Sequence, residues 1–138
     1  MKLKLIFGLL LSVMFLPLAS CDSDKNGPNI EGKWDDNIKL SQKTANFSSE
    51  SNSVTITSEY DGWWLNGIAL NKVGVDLSNI NKISKDFVVT NSEFQVERKD
   101  GKTIIITMNK NATNAERVLS ISLQNGDFFN SINVVQAK

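Results

Sequence analysis

Few residues of this chain could do covalent chemistry. Its 138 residues contain a single cysteine, Cys21, and no histidine. Without an imidazole there is no Ser-His-Asp or Cys-His arrangement, and the commonest general base and zinc ligand is missing. Carboxylates are plentiful, among them Asp35, Asp36, Glu50, Glu59, Asp61, Glu93, Glu97, Asp100, Glu116 and Asp127. Glycoside hydrolysis needs two carboxyls facing each other across a cleft, and no spacing here sets such a pair, so these read as solvated turn acids. Asp76, Asn79, Asn81 and Asp86 do not follow the spacing of a calcium loop. The expectation is a non-enzymatic chain with no catalytic residues, no metal and no cofactor. Recognition is the chemistry that remains. Tyr60, Trp63, Trp64 and Phe129, beside Phe128, offer flat apolar area with a polar handle, the kind of surface on which sugar rings stack.

Cys21 has a different setting. Lys2 and Lys4 precede Leu5 to Leu18, which carries no charge, and Ala19 and Ser20 are small. The apolar run falls short of the roughly 20 residues that span a bilayer and suits the core of a signal peptide. Leu18-Ala19-Ser20-Cys21 resembles a bacterial lipobox. The resemblance implies diacylglyceryl transfer to the Cys21 sulfur, cleavage before Cys21, and acylation of the new amine, with palmitate-type chains. At about 0.8 kcal/mol per buried CH2, two or three such chains hold a protein on a membrane essentially permanently. Asp22-Ser23-Asp24 follows the anchor at once. Such acids resemble the signal for surface display in Bacteroidetes lipoproteins, whereas an Asp here favours inner-membrane retention in proteobacterial ones.

The elements that must position the aromatics come next. Residues 1–20 are expected to be a cleaved leader, 21–36 the lipidated N-terminus and tether, and 37–138 one domain with a single core. Loss of Lys2 and Lys4 leaves the remainder slightly acidic and without a basic run, which excludes a nucleic-acid surface. From Asn37 onward apolar residues alternate with polar ones. Ile38 and Leu40, then Ala45 and Phe47, flank a break at Gln42-Lys43 that suggests a bend or a switch of sheet. Ser53 to Thr57 reads as a short strand, and Trp63-Trp64-Leu65 starts another that could run on through Ile68 and Leu70. Asn71 to Ser92 is least regular, with room for an extra hairpin or edge strand. Asp100-Gly101 and Asn125-Gly126 are hairpin signals between Phe94–Arg98, Thr103–Met108, Arg117–Leu123 and Asp127–Gln136. Helical periodicity of useful length is absent after the leader. About seven short strands with such punctuation predict an all-β, immunoglobulin-like antiparallel sandwich.

Adjacent residues on a strand point to opposite faces. Trp63 shares parity with Leu65, and Trp64 with Ile68 and Leu70, which leaves open which of the two is core. If Ile132 and Val134 face inward, parity sends Phe128 in and Phe129 out. Arg117 is expected to pair with an acid at its strand's start or to cap loop carbonyls.

Val54-Thr55-Ile56-Thr57, a Trp at a turn, Asn109 with Arg117, Leu119 and Ile121, and the closing Ile132, Val134-Val135-Gln136 together resemble the BACON domain, an immunoglobulin-like module of Bacteroidetes. The resemblance covers roughly Asn37 to Lys138 and departs from the family pattern in the Asn71 to Ser92 insertion and in having no catalytic domain attached. It implies carbohydrate or mucin binding, favours Trp64 as the outward tryptophan, and favours display on the outer surface of the outer membrane. The expected partners are the membrane, through the lipid on Cys21, and a glycan held by exposed aromatics. The alternative is a structural or interaction lipoprotein that docks on an outer-membrane protein.

Overall fold

The computed structural model describes residues 35–138; the leader, Cys21, the tether up to residue 34 and Trp34 lie outside the described residues. Nine strands follow in order: β1 Thr44–Phe47, β2 Asn52–Thr57, β3 Trp64–Leu70, β4 Val73–Gly74, β5 Phe87–Thr90, β6 Phe94–Lys99, β7 Thr103–Met108, β8 Arg117–Asn125 and β9 Phe128–Gln136. They form a five-stranded sheet in the order β1-β9-β8-β3-β4 and a four-stranded sheet in the order β2-β7-β6-β5. The fold is an immunoglobulin-like β-sandwich. Its strand count exceeds the expected seven because the irregular stretch from Asn71 supplies β4 and β5, one short edge strand to each sheet.

Period-two patterning makes the layers. On β7, Ile104, Ile106 and Met108 point inward, and on β8 Leu119, Ile121 and Leu123 do so. Ile56, Phe94 and Val96 meet Leu65, Ile68, Ile132 and Val134 between the sheets. Each fully buried aliphatic or aromatic side chain contributes about 1.5–3 kcal/mol of transfer free energy, so this two-sided core holds the sheets together. The break at Gln42-Lys43 is a switch of sheet: Leu40 bridges Ser58 beside β2, whereas β1 lies parallel on β9 with Thr44 opposite Asn133. Asn71 and Lys72, both at positive φ, close the two-residue β3–β4 hairpin, the backbone twist that a tight hairpin requires.

Asp36 ties the first described residues to the sandwich. Its carboxylate accepts the N–H groups of Ile38 and Lys39, at 3.1 and 2.8 Å, and the amide of Asn130 on β9. Lys43 Nζ lies 3.1 Å away. Burial works to raise the Asp36 pKa, but the Lys39 and Ile38 hydrogen bonds and the Lys43 ammonium outweigh it and hold the carboxyl below its ordinary value. A carboxyl depressed in the folded state adds stability above its unfolded pKa, near 4, that disappears as pH falls through the folded value. Asp36→Asn should therefore flatten the acid limb of stability, by less than about 1 kcal/mol because the pair is partly solvated. Urea midpoints at about pH 6 and about pH 2.5 check this; equal pH dependence in both proteins would remove Asp36 from the acid transition.

Candidate functional site

Trp63 and Trp64 take opposite fates, and a β-bulge decides which. The register of β3 against β8 shifts between Leu65 and Gly67, so one extra residue enters β3 there. Leu65 pairs with Leu123 before the shift and Ile68 with Ile121 after it. Both parities thus face inward on their own side of the bulge. Trp63, just before β3, goes in with Leu65 and is 2 % exposed. Its indole N–H donates to Ser58 Oγ at 3.0 Å, and the guanidinium carbon of Arg98 lies 3.5 Å from its ring centre. Trp63 is therefore a core residue and leaves the set of binding candidates.

Trp64 faces outward and is partly covered. It pairs with Gln124 on β8, and Gln124 pairs with Phe129 on β9. Directly paired residues share a face of a sheet, so Trp64, Gln124 and Phe129 form one row across three strands. Neighbouring strands lie about 4.8 Å apart, which places the two aromatic residues about 10 Å apart along the backbone. Phe129 is 55 % exposed, while Phe128 turns in and packs against the core. Gln124 Nε2 donates to Gly126 O at 2.9 Å across the β8–β9 turn.

The outward positions below the row are small and uncharged. Below the aromatic row, Gly67, Ser122 and Ser131 form a second row, then Ala69, Ser120 and Asn133 a third. Asn66, in the bulge, donates to Ser122 Oγ at 3.1 Å, and Ser120 and Asn133 are hydrogen-bonded at 2.7 Å. Thr44 and Asn46 continue the polar surface on β1. The outward positions of β1, β3, β8 and β9 hold no charged side chain, whereas the outer face of the other sheet carries Glu97 and Lys99.

Tyr60 stands apart from the row. It lines a depression of about 480 Å³ with Asn37, Lys39, Glu59 and Asn125, where Lys39 and Glu59 pair at 3.2 Å. The Tyr60 ring lies over Gly62, where any Cβ would run into it. Asn125 follows Gln124, so the depression and the row meet at the same end of the sandwich. Ile83, 72 % exposed, joins them there, because the neighbouring Lys82 carbonyl accepts Leu65 N–H at 3.0 Å. Beneath this end Arg98, 1 % exposed, donates to the carbonyls of Asp61, Trp63, Ser84 and Gly101 at 2.7–3.0 Å. Lys85 clasps Asp61 above it, with Oδ2 at 3.2 Å, and its hydrogen bond holds the Asp61 carboxyl below its ordinary value. No group of three or more Cys, Asp or Glu that could hold a metal occurs among the described residues.

The fold is shared with a known structure. The chain is similar to a protein from Bacteroides thetaiotaomicron solved by NMR, at 19 % identity and a TM-score of 0.59, over 78 % of this chain and 92 % of that one. That likeness shows the fold. A Bacteroides ovatus GH5 xyloglucanase aligns at 19 % identity and a TM-score of 0.45 over 72 % of this chain and 18 % of its own. Titin domain M7 aligns at 6 % identity and a TM-score of 0.44, over 72 % and 93 %. No family model matches the chain, and no curated protein does.

The sequence alone points to Trp64, Phe129 and Tyr60 but not to Gln124, Asn66, Arg98 or the serine rows. The serines had a signal: the alternate residues Ser120, Ser122 and Gln124 of β8 and Ser131 and Asn133 of β9 are all uncharged. Gln124 becomes visible as the centre of a row only once the strand register is known.

Proposed function

We propose that this chain is a lipid-anchored, non-catalytic module of the BACON type that binds carbohydrate on the outer surface of the outer membrane. The observation that carries it is the row of Trp64, Gln124 and Phe129 above two rows without charge. Sugars have weakly apolar ring faces and a rim of hydroxyls. Aromatic area serves the first, and amide and hydroxyl side chains serve the second. The anchor on Cys21 and the tether from Asp22 would hold the domain off the lipid.

The test is affinity electrophoresis of the detergent-solubilised full chain through gels containing neutral polysaccharides or mucin. Retardation is expected in at least one gel. Trp64→Ala and Phe129→Ala should each weaken it by roughly three- to tenfold, the worth of one aromatic stacking contact, with urea midpoints close to the parent's. No retardation in any gel would remove the reading.

One observation favours a second reading, docking on an outer-membrane protein. Among the described residues β5 pairs with β6 alone and leaves its other edge unpaired, with Val88 48 % exposed, a template for strand addition. Stoichiometric co-purification with one membrane protein, insensitive to Trp64→Ala and Phe129→Ala, would favour it.

A further inference from the structure

We infer that the ligand lies across the strands, along the aromatic row, and that it is a neutral, extended, equatorially β-1,4-linked glycan of at least three rings. The inference rests on the carbohydrate reading above and narrows it to one substrate class and one orientation.

The row sets the direction. Trp64 and Phe129 occupy β3 and β9, with β8 between them, so a line joining them runs perpendicular to the strands. One ring of a β-1,4-linked chain advances by about one strand spacing, roughly 5 Å. A chain laid on this line puts one ring on each strand. Trp64 then meets the first ring, Gln124 the second and Phe129 the third.

Linkage follows from the faces. In a β-1,4-linked chain successive rings are flipped, so alternate rings present the same apolar face. The two aromatics lie two strands apart, which matches that alternation. The middle ring presents its opposite face over Gln124, whose Nε2 is held by Gly126 and whose Oε1 remains to accept from a hydroxyl on that ring's rim. An α-1,4-linked chain curves and leaves a straight row within three rings.

Charge sets the class. The outward positions around the row offer hydroxyl and amide groups, with Ser122 and Ser131 directly beside it. Among the described residues no charged side chain occupies the row or the two rows below it, and an acidic glycan lying along the row would lose hydration without a partner. Uronic-acid and sulfated polymers are thereby disfavoured.

The experiment is calorimetric titration of the detergent-solubilised full chain with β-1,4-linked gluco-oligosaccharides of increasing length. Beside them run an α-1,4-linked series and polygalacturonate. The β-linked affinity should rise by about tenfold from two rings to three, when the second aromatic is engaged, and should change little beyond four. The α-linked series should lack that step, and polygalacturonate should not bind. Phe129→Ala should erase the step and leave the weak two-ring affinity in place. Phe129 is well exposed, so this variant keeps its fold, which its urea midpoint verifies. Carbohydrate binding that lacks the step, prefers acidic polymers, or survives Phe129→Ala but not Tyr60→Ala would overturn this orientation while leaving the carbohydrate reading intact. Failure of every carbohydrate to bind would remove both.

Discussion

Arg98→Met is expected to destabilise the domain by about 3–5 kcal/mol. With a urea slope near 1.5 kcal/mol/M for a domain of this size, the midpoint should fall by roughly 2–3 M. The size of the effect follows from what the guanidinium does. It is almost completely buried, lies over the Trp63 ring, and donates to backbone carbonyls in three separate segments: Asp61 and Trp63 before β3, Ser84 before β5, and Gly101 in the β6–β7 turn. Burial brings its pKa down to about 10, against which the Asp61 and Asp86 carboxylates push it up. It is therefore a cation at neutral pH. Methionine matches its apolar bulk but takes the guanidinium donors from the Trp63, Ser84 and Gly101 carbonyls and leaves the Asp61 carbonyl to Lys85 alone, each lost partner costing about 1–3 kcal/mol. It also forfeits a desolvated cation–π contact worth about 2 kcal/mol. Arg98→Lys separates charge from shape. Lysine keeps the charge but not the planar fork, so it should recover less than about half of the loss. A methionine variant within about 1 kcal/mol of the parent would show that the loops hold themselves and that Arg98 is incidental.

What the sequence could and could not reveal divides along the same physical line. Strands with inward Ile and Leu at alternate positions, such as Thr103–Met108 and Arg117–Leu123, announce themselves because one face is buried and the period is two. The hairpins at Asp100-Gly101 and Asn125-Gly126 do so because Gly101 and Gly126 sit at positive φ. The sheet switch before Thr44 was visible as a break in alternation. Arg117 was expected to pair with an acid or to cap carbonyls, and it does both, with Glu93 at 3.5 Å and the Asn109 carbonyl at 2.6 Å. The tryptophan pair was beyond parity, because the bulge at Asn66-Gly67 reverses the count midway along β3. Arg98 gave no sign either. In Phe94–Lys99 it occupies an inward position beside Phe94 and Val96, where a charged residue argues against burial until three loops bring carbonyls to it. The aromatic row is a property of register between strands that lie far apart in the chain, and local sequence does not encode that distance.

Gln136→Glu is expected to cost about 2–3 kcal/mol even though it sets a carboxylate against an arginine. Gln136 is fully buried at the end of β9. Its Oε1 accepts from Arg117 Nε and Nη2 at 3.1 and 2.6 Å, while its Nε2 donates to the carbonyls of Glu50 and Asn109 at 3.1 and 3.0 Å. An amide fits because it accepts on one side and donates on the other. Glutamate keeps the acceptor and loses both donors, so the Glu50 and Asn109 carbonyls would face a negative charge. Glu93 already stands beside Arg117, which makes a second carboxylate on the same cation of small added worth. The amide and the guanidinium should therefore behave as one unit that joins β8, β9 and the loops at Glu50 and Asn109. A double-mutant cycle with Arg117→Met and Gln136→Leu tests this: each single change should cost about 2–4 kcal/mol, and the double less than their sum by about 1–3 kcal/mol. Simple additivity would mean that each side chain merely fills space. Equal stability of Gln136→Glu and the parent would mean that charge, and not the amide's two-sided hydrogen bonding, is what this end of the sandwich requires.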